Sequence, residues 1–273
     1  MDTYRIKPKQ KVNLKKDFDP DHVGDWKDSK ASGEDRLVEL RAELDELQGL
    51  LYAEHKHKVL VVLQAMDTGG KDGTIHSVFG GVNPQGVRVA SFKVPTQIEM
   101  DHDFLWRVHS QVPGKGELVI FNRSHYEQVL VVRVHKLEPE AVWRLHYRQI
   151  NDFEEMLAET GTTIVKFFLN ISLDEQKERL LERLNTPEKQ WKFSPGDLPE
   201  RKLWPEYMEA FEELLNETSA EWAPWYVVPA NRNWYRNLVV ATVLVDTLKK
   251  LNMHYPAPVE NIKQYRIQLE TEK

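Results

Sequence analysis

The sequence predicts a three-layer α/β/α domain built on a mainly parallel sheet. Five short, continuous apolar runs are typical of strands that are buried on both faces of such a sheet. Patterns with helical periodicity separate these runs, as βαβ connections require. With 273 residues, 41% of them apolar, the chain can form one large core. The predicted strands are Lys58–Met66, Gly86–Phe92, Glu117–Phe121, Thr162–Leu169 and Trp225–Val228.

The N-terminal part is predicted to be an arm followed by a long helix. Residues 1–31 are polar, rich in Lys, Asp and Pro, and without helix or strand periodicity, so an irregular arm over the surface is expected. Ser32 and Asp35 form an S-x-x-D helix start, after which leucines recur at steps of three and four from Leu37 to Leu51. This stripe favours core packing, and residues 32–273 are predicted to form one domain.

Six further helical patterns lie between and after the strands. Two of them fall within residues 174 to about 220, with a polar connection between them, which is more than a minimal crossover requires. We predict that this segment is a helical lid on the same domain. The six patterns are Gln97–Gln111, Ser124–Val131, Pro139–Thr160, Asp174–Leu184, Pro199–Asn216 and Trp234–Leu251.

The composition excludes several kinds of chemistry. The chain has no cysteine, so disulfides, thiolate zinc sites, iron–sulfur clusters and a cysteine nucleophile are excluded. There are 37 Lys and Arg against 43 Asp and Glu, and the resulting charge of −6 argues against general nucleic-acid binding. The first ten residues lack the apolar core of a signal peptide, and no run approaches a membrane span of about 18 apolar residues. We expect a cytoplasmic protein that binds neither nucleic acid nor membrane.

A glycine-rich turn, Ala65-Met-Asp-Thr-Gly-Gly-Lys-Asp-Gly-Thr-Ile75, follows the first strand. Strand, glycine-rich turn and helix together aim backbone N–H groups at a phosphate, and the spacing fits a P-loop. Asp72 stands where a P-loop has its magnesium-binding Ser or Thr. Lys71 supplies charge for phosphate, and Asp67 is either a hard oxygen ligand for Mg²⁺ or a helix cap. The remaining predicted phosphate-binding residues of the turn are Thr68, Gly69, Gly70, Gly73 and Thr74.

A second candidate segment, Phe121-Asn-Arg-Ser-His-Tyr-Glu127, ends another strand. Ligands of open α/β sheets bind outside the carboxyl ends of the strands, so Asn122 and Arg123 are expected near the P-loop. Two interpretations of Glu127 stay open. It can take part in catalysis, or it can close a capping box with Ser124.

A third segment supplies candidate cations for the lid. Arg179 and Arg183 are four residues apart and share a helix face, and Lys189 and Lys192 follow on a polar loop. A cationic lid would stabilise negative charge on a transferring phosphoryl group. An ordinary solvated face is the alternative, because glutamates alternate with these basic residues.

Five motifs, in this order along nearly the whole chain, closely resemble the polyphosphate kinase 2 family. They are Ala65-Met-Asp-Thr-Gly-Gly-Lys-Asp-Gly-Thr74, Phe-Lys-Val-Pro-Thr at 92–96, Asn-Arg-Ser-His-Tyr at 122–126, Lys-Gln-Trp-Lys-Phe-Ser at 189–194 and Ala-Pro-Trp-Tyr at 223–226. The resemblance implies a P-loop kinase fold related to thymidylate kinase, a helical lid, Mg²⁺, and reversible phosphoryl transfer between inorganic polyphosphate and a nucleotide. It also suggests a homodimer or homotetramer.

The resemblance also implies roles for individual residues. Asp67 resembles the Walker A aspartate that organises magnesium and phosphate, and Lys71 resembles the phosphate lysine. Asn122 stands where many members have Asp, and the Asn-Arg-Ser-His-Tyr-Glu version is similar to the subgroup that accepts nucleoside mono- and diphosphates. The positions that resemble binding sites for nucleotide or polyphosphate phosphates are Lys93, Arg123, Arg133 and Arg183.

The sequence therefore predicts magnesium-dependent transfer of the terminal phosphoryl group of polyphosphate to AMP and ADP, with guanine nucleotides as further candidates. Two alternatives stay open: an ATP-dependent P-loop kinase of nucleotides or small molecules, and a non-catalytic protein that binds nucleotides or polyanions. A polyanionic substrate requires that the acidic chain gather its cations in one groove. The residues expected to converge are Lys71, Lys93, Arg123, Arg133, Arg179, Arg183, Lys189 and Lys192.

Overall fold

A computed structural model of the chain describes residues 1–26 and 29–272. Its five strands form one sheet in the order β2-β3-β1-β4-β5, and each neighbouring pair is parallel. All five predicted strands are confirmed, with ends that differ by one residue at most. The strands are β1 (Lys58–Ala65), β2 (Val87–Ser91), β3 (Leu118–Asn122), β4 (Thr162–Asn170) and β5 (Trp225–Pro229).

Helices of very different length surround the sheet. Among the residues that the structure describes, no helix is both long and apolar enough to cross a membrane. The α-helices are α1 (Leu14–Asp17), α2 (Lys30–Glu54), α3 (Lys71–Phe79), α4 (Gln97–Met100), α5 (Trp106–His109), α6 (Val131–Val134), α7 (Glu140–Glu159), α8 (Leu173–Asn185), α9 (Asp197–Lys202), α10 (Trp204–Thr218), α11 (Asn233–Lys249) and α12 (Ile262–Thr271). Short 3₁₀ helices span Asp2–Tyr4, His125–Val129 and Pro187–Lys192.

The core has two layers, one on each face of the sheet. Successive residues of β1 alternate between them, because side chains of a strand point to opposite faces. Val59, Val61 and Leu63 pack with α2, α3 and α11, whereas Leu60 and Val62 pack with α7 and α10. This arrangement confirms the predicted three-layer α/β/α architecture.

The N-terminal segment is anchored more firmly than the sequence indicates. The side chains of Tyr4, Ile6, Val12 and Leu14 are buried. The Ile6 N–H donates to the Trp225 carbonyl at 2.9 Å, so the segment lies against the edge strand β5. A covered edge cannot pair with another chain. In its described residues the segment 1–31 is thus partly buried against the domain, and the division into arm, domain and lid stays a prediction.

Four helical predictions need correction, and one helix was missed. The pattern Ser124–Val131 forms the 3₁₀ helix His125–Val129, and the pattern Pro199–Asn216 is divided between α9 and α10. The long helix α2 begins at Lys30, and its cap is Ser29, whose hydroxyl accepts from the Ser32 N–H at 3.0 Å. The pattern 97–111 forms the two short helices α4 and α5, because Thr96 and Glu99 close a capping box and Asp103 then accepts from the Leu105 N–H. Helix α12 was not predicted.

The order of the strands in the sheet determines where a ligand site is expected. Strand β1 lies between β3 and β4, so the chain moves to one side of β1 through β2 and β3 and then crosses to the other side with β4. In open α/β sheets the ligand crevice lies at the carboxyl ends of the strands, where the order of winding reverses. The loops after β1 and β3 occupy this place and carry the two first candidate segments.

Candidate functional site

A central cavity of about 740 Å³ lies at the carboxyl edge of the sheet. It gathers residues from the loops after β1, β2 and β3 and from α8 and α11, together with residues that follow α8. Eight basic and four acidic side chains line it. The basic residues are Lys71, Lys93, Arg123, Arg179, Arg183, Lys189, Lys192 and Arg236, and the acidic residues are Asp67, Asp72, Glu182 and Asp197.

The loop after β1 is held in a conformation that requires glycine. Thr68 and Gly70 both have left-handed backbones, with φ of 63° and 95°. A Cβ at Gly70 would overlap the Arg236 guanidinium, and a Cβ at Gly69 would lie 2.5 Å from the Ala65 Cβ. The two glycines therefore allow the loop to fold closely over β1 and under Arg236. Backbone held in sparsely populated regions is common at ligand-binding loops.

Lys71 turns back into this loop. Its Nζ donates to the Ala65 carbonyl at 3.0 Å, at the first residue of the glycine-rich turn. Burial, and next the positive charge of Arg123, lower the pKa of Lys71 to about 8. Lys71 thus presents a partly buried cation in the lining of the central cavity, where a bound phosphate would be screened less than in bulk water.

Arg123 links the two loops. It has a left-handed backbone, with φ of 62°, and its Nη2 donates to Asp67 Oδ1 at 3.1 Å. The Asn122 amide donates to Asp72 Oδ1 at 2.7 Å. Gln176 of α8 supports the same loop by donating to the Asp67 carbonyl at 3.1 Å. The predicted meeting of Asn122 and Arg123 with the P-loop is therefore observed.

Glu127 does not close the predicted capping box. The Ser124 hydroxyl accepts from the Tyr126 N–H at 3.2 Å, while the Glu127 N–H bonds the Ser124 carbonyl. The Glu127 carboxylate instead faces Arg123 Nη1 at 3.9 Å. Burial raises the pKa of this carboxyl, against the lowering effect of the Arg123 charge. Of the two interpretations of Glu127, the capping box is wrong.

A second cavity, of about 470 Å³, adjoins the central one. The two share Asp67, Val94, Arg123 and Asp197 in their linings. The lining of the second cavity is more apolar than that of its neighbour. Its other residues include Met66, Glu127, Leu130, Val131, Tyr207 and Phe211.

The four predicted lid cations, Arg179, Arg183, Lys189 and Lys192, all line the central cavity, but they differ in their bonds. Arg179 already has partners: it donates to Thr68 O at 2.9 Å, to Ala230 O at 2.6 Å and to Glu175 Oε1 at 2.7 Å. Arg183 Nη1 donates to the Lys192 carbonyl at 3.1 Å and lies 3.5 Å from Asp197 Oδ2. Arg179 therefore braces the loop, whereas Arg183 has more capacity for a ligand.

Two predicted phosphate-binding residues lie elsewhere. Arg133 donates to Glu213 Oε2 at 2.6 Å and lies over the Trp143 ring, away from the central cavity. Thr74 is completely buried, and its hydroxyl donates to the Gly70 carbonyl at 3.0 Å within α3. Both predictions are corrected: the structure uses Arg133 to join α6 to α10 and uses Thr74 inside the helix. The other seven basic residues expected to converge do line the cavity.

Sequence reasoning missed Arg236 and Asp197. Arg236 is 2% exposed, its Nη1 donates to Asn233 Oδ1 at 2.6 Å, and burial lowers its pKa to about 9. Asp197 lines both cavities, and burial raises its pKa. A signal for Arg236 was available, because Asn231-Arg-Asn-Trp-Tyr-Arg-Asn237 follows the carboxyl end of β5, where ligands are expected.

The cavity offers few ligands for a metal. In residues 1–26 and 29–272, no group of three or more His, Cys, Asp or Glu side chains could hold an ion. Asp67, one third exposed beside the glycine-rich loop, supplies one carboxylate. Mg²⁺ is commonly held by one or two carboxylates together with substrate phosphates and water. The residues present therefore fit a magnesium ion that arrives with its phosphates.

The comparisons with known proteins agree with this geometry. A family model described as Polyphosphate kinase 2 matches residues 27–256. The AMP/ADP-polyphosphate phosphotransferase of Meiothermus ruber is 61% identical over 258 residues, which cover 94% of this chain and 96% of that protein. The ADP-polyphosphate phosphotransferase of Rhodopseudomonas palustris is 46% identical over 265 residues, covering 93% and 91%.

A solved structure shows the same architecture. The crystal structure of polyphosphate kinase 2 from Arthrobacter aurescens TC1 matches with a TM-score of 0.94 and 44% identity, covering 98% of this chain and 95% of that one. This similarity supports the P-loop kinase fold that the sequence implied. The chain is thus a member of the polyphosphate kinase 2 family.

Proposed function

We propose that this protein transfers the terminal phosphoryl group of inorganic polyphosphate to AMP and ADP, giving ADP and ATP. The observation that carries the proposal is the convergence of seven expected basic side chains and Arg236 on one cavity of an acidic protein. Its similarity to the AMP/ADP-polyphosphate phosphotransferase of Meiothermus ruber supports the same substrates.

The adjoining cavities suit the two substrates. The central cavity, lined by cations, would hold polyphosphate, and the partly apolar second cavity would hold the nucleotide. Asp67 and Arg123 line both, so the phosphoryl group would pass between the substrates at these two residues. An oxygen of the nucleotide's terminal phosphate would attack the terminal phosphorus of polyphosphate, and the bond from that phosphorus to the bridging oxygen would break. Such a transfer requires in-line positioning and charge neutralisation rather than covalent help.

Different cationic side chains would neutralise different phosphates along the site. Lys71 and Arg123 would contact the transferring phosphoryl group, and Arg183, Lys189 and Lys192 would contact the phosphates nearer the lid. Glu127, whose pKa burial raises, lies at the nucleotide side. Mg²⁺ is proposed at Asp67, where it would neutralise phosphate oxygens, and members of this family generally depend on a divalent cation. Lys93 and the loop residues Gly69, Gly70 and Gly73 complete the proposed phosphate cradle.

A donor and acceptor screen tests the proposal. ATP formation from AMP and from ADP is measured with polyphosphate and Mg²⁺, and ATP is compared as a donor for a nucleoside monophosphate. Asp67→Asn and Lys71→Ala should each abolish most of the polyphosphate-dependent rate, whereas Lys177→Ala, an exposed lysine of α8 outside the cavities, should not. Near wild-type rates in both site variants would contradict the assignment. So would phosphoryl transfer from ATP as donor with none from polyphosphate.

Two finer properties belong to the same proposal. GMP and GDP are expected to replace the adenine nucleotides at least in part, and the screen includes them. A homodimer or homotetramer is expected from the family resemblance, and light scattering of the purified protein measures it.

A further inference from the structure

An outer groove of about 760 Å³ lies beyond the central cavity, between α2, α3 and the start of α11. Ser77, Asn233 and Asn237 line both spaces, so the groove and the central cavity are neighbours. The phosphoryl transfer proposed above makes no use of this groove.

The outer groove and the second cavity, which is the proposed nucleotide site, share no described lining residue and meet the central cavity at different places. The reacting end of polyphosphate would sit at Asp67 and Arg123, which the central cavity shares with the second cavity. Neither residue lines the outer groove, which meets the central cavity at Ser77 and the first turn of α11 instead. A linear phosphate chain that enters the central cavity by its reacting end must therefore continue toward the groove or into solvent.

The groove presents cationic donors to such a chain. Arg41 of α2 makes one hydrogen bond, from Nη2 to the Gly80 carbonyl, and its other donors have no acceptor among the described residues. Lys30 and His76 also line the groove, and both are exposed. Of the described lining residues, Glu34 is the single acid, and it lies 3.7 Å from Lys30. A guanidinium with free donors suits phosphate oxygens because it can bind two of them at once.

We propose that the outer groove is a subsite for the distal phosphates of long-chain polyphosphate, with Arg41 as its main contact. This inference rests on the proposed function and adds a basis for chain-length preference. A short polyphosphate that fits within the central cavity would not reach Arg41. A long chain would gain the additional contact, so the groove would favour long chains at the binding step and leave the chemical step unchanged.

The test compares KM and kcat for tripolyphosphate and for long-chain polyphosphate, with ADP saturating. Arg41→Gln should raise KM for the long chain about two- to fivefold, the effect of one partly exposed charge contact. KM for tripolyphosphate and kcat with either donor should stay unchanged. Arg41→Lys keeps the charge and should recover part of the long-chain affinity. Adding Lys30→Gln to Arg41→Gln should raise the long-chain KM further.

Two controls separate the possible outcomes. Arg148→Gln removes an exposed arginine of α7 that lines none of the three cavities, and it should change neither KM. Thermal unfolding of Arg41→Gln shows whether loss of the Gly80 contact disturbs the fold. If wild-type protein is active and Arg41→Gln changes both KM values equally or neither, the groove proposal is overturned. If wild-type protein forms no ATP from either donor, the proposed function fails as well.

Discussion

At the scale of single residues, the protonation of Lys71 should shape the pH dependence of the reaction. The charged form binds phosphate, and burial lowers its pKa to about 8 in the unliganded protein. As pH rises through about 8, the free enzyme loses this charge, so kcat/KM for polyphosphate should fall. The pH profile of kcat/KM reports the free enzyme, and Lys71→Arg should move the fall to higher pH because arginine stays protonated.

The shape of the profile, rather than the absolute rate of the variant, decides this prediction. An unchanged fall near pH 8 in Lys71→Arg would show that another group titrates there.

Gly70 provides a second residue-scale prediction. Its φ of +95° strains any other residue, and a Cβ there would overlap the Arg236 guanidinium. Gly70→Ala should therefore lower the free energy of unfolding by about 1–3 kcal/mol, which urea denaturation measures. Displacement of Arg236 and the loop should also lower kcat/KM for polyphosphate about 100-fold, the effect of misplacing a site by about 1 Å.

Variants of two other glycines separate the effect of backbone strain from the effect of the contact with Arg236. Gly161 has φ of +89° but open space at its Cβ position, so Gly161→Ala should lower the free energy of unfolding without loss of activity. Gly49 lies within α2 with nothing near, and Gly49→Ala should stabilise the fold by about 0.5–1 kcal/mol. If Gly161→Ala abolished activity as Gly70→Ala does, the contact with Arg236 would not explain the loss.

At the scale of elements, a buried ion pair joins α7 to β4. Lys166 is completely buried and donates to Glu154 Oε2 at 2.5 Å, to the Tyr126 hydroxyl at 2.8 Å and to the Thr218 carbonyl at 2.7 Å. Burial alone would raise the pKa of Glu154, but the Lys166 ammonium holds it low. His125 also faces this carboxylate, at 3.1 Å. The network lies directly behind the loop that carries Arg123.

Removing one charge of this pair should lower the free energy of unfolding far more than removing both charges. Lys166→Met leaves a buried carboxylate uncompensated and should lower the free energy of unfolding by about 3–5 kcal/mol. Adding Glu154→Gln should recover part of that loss, because the amide oxygen can still accept from Tyr126. Urea midpoints at constant slope measure both changes.

An exposed pair serves as the control for this measurement. Lys249 lies 2.5 Å from Glu43 with its side chain 54% exposed. Lys249→Met should cost less than about 1 kcal/mol, as surface pairs do. A loss below about 1 kcal/mol for Lys166→Met as well would contradict the interpretation of the buried pair.

The helices and strands also show which sequence patterns are sufficient to predict an element. All five strands were predicted, because continuous apolar runs between helical patterns have few other interpretations. The pattern 97–111 was wrong because local caps at Thr96 and Asp103 end and restart the helix within it, which apolar spacing does not show. Helix α12 is entirely exposed, so no buried face marks it in the sequence.

At the scale of the whole molecule, site residues could be predicted from the sequence where they directly follow a strand. They could not be predicted where a partner far away in the sequence determines the position of the side chain. The loops after β1 and β3 gave Asp67, Lys71 and Arg123, which do meet. Arg133 was misplaced because its partner, Glu213, lies 80 residues away in the sequence. Arg236 was missed because it lies one turn inside α11, although the strand that precedes it was predicted. The roles assigned to these residues stay predictions.

The distribution of charge, rather than its sum, should control binding of the polyanion. The chain carries a net charge of −6, yet twice as many basic as acidic side chains line the central cavity. Charges beyond a Debye length, about 10 Å at 0.1 M salt, are largely screened, so distant acids contribute little repulsion. Exposed Glu159, at the end of α7, lines none of the cavities, whereas Lys192 lines the central one.

A variant that keeps the net charge can therefore show whether the local charge of the cavity or the total charge of the chain controls binding. Lys192→Gln combined with Glu159→Gln still carries −6, but it should raise KM for polyphosphate about two- to fivefold, as Lys192→Gln does alone. Glu159→Gln alone should leave KM unchanged, although it lowers the net negative charge. Steady-state rates at low and at physiological salt measure these values, and salt should reduce the effect of Lys192→Gln. Recovery of the wild-type KM in the double variant would show instead that total charge governs the encounter.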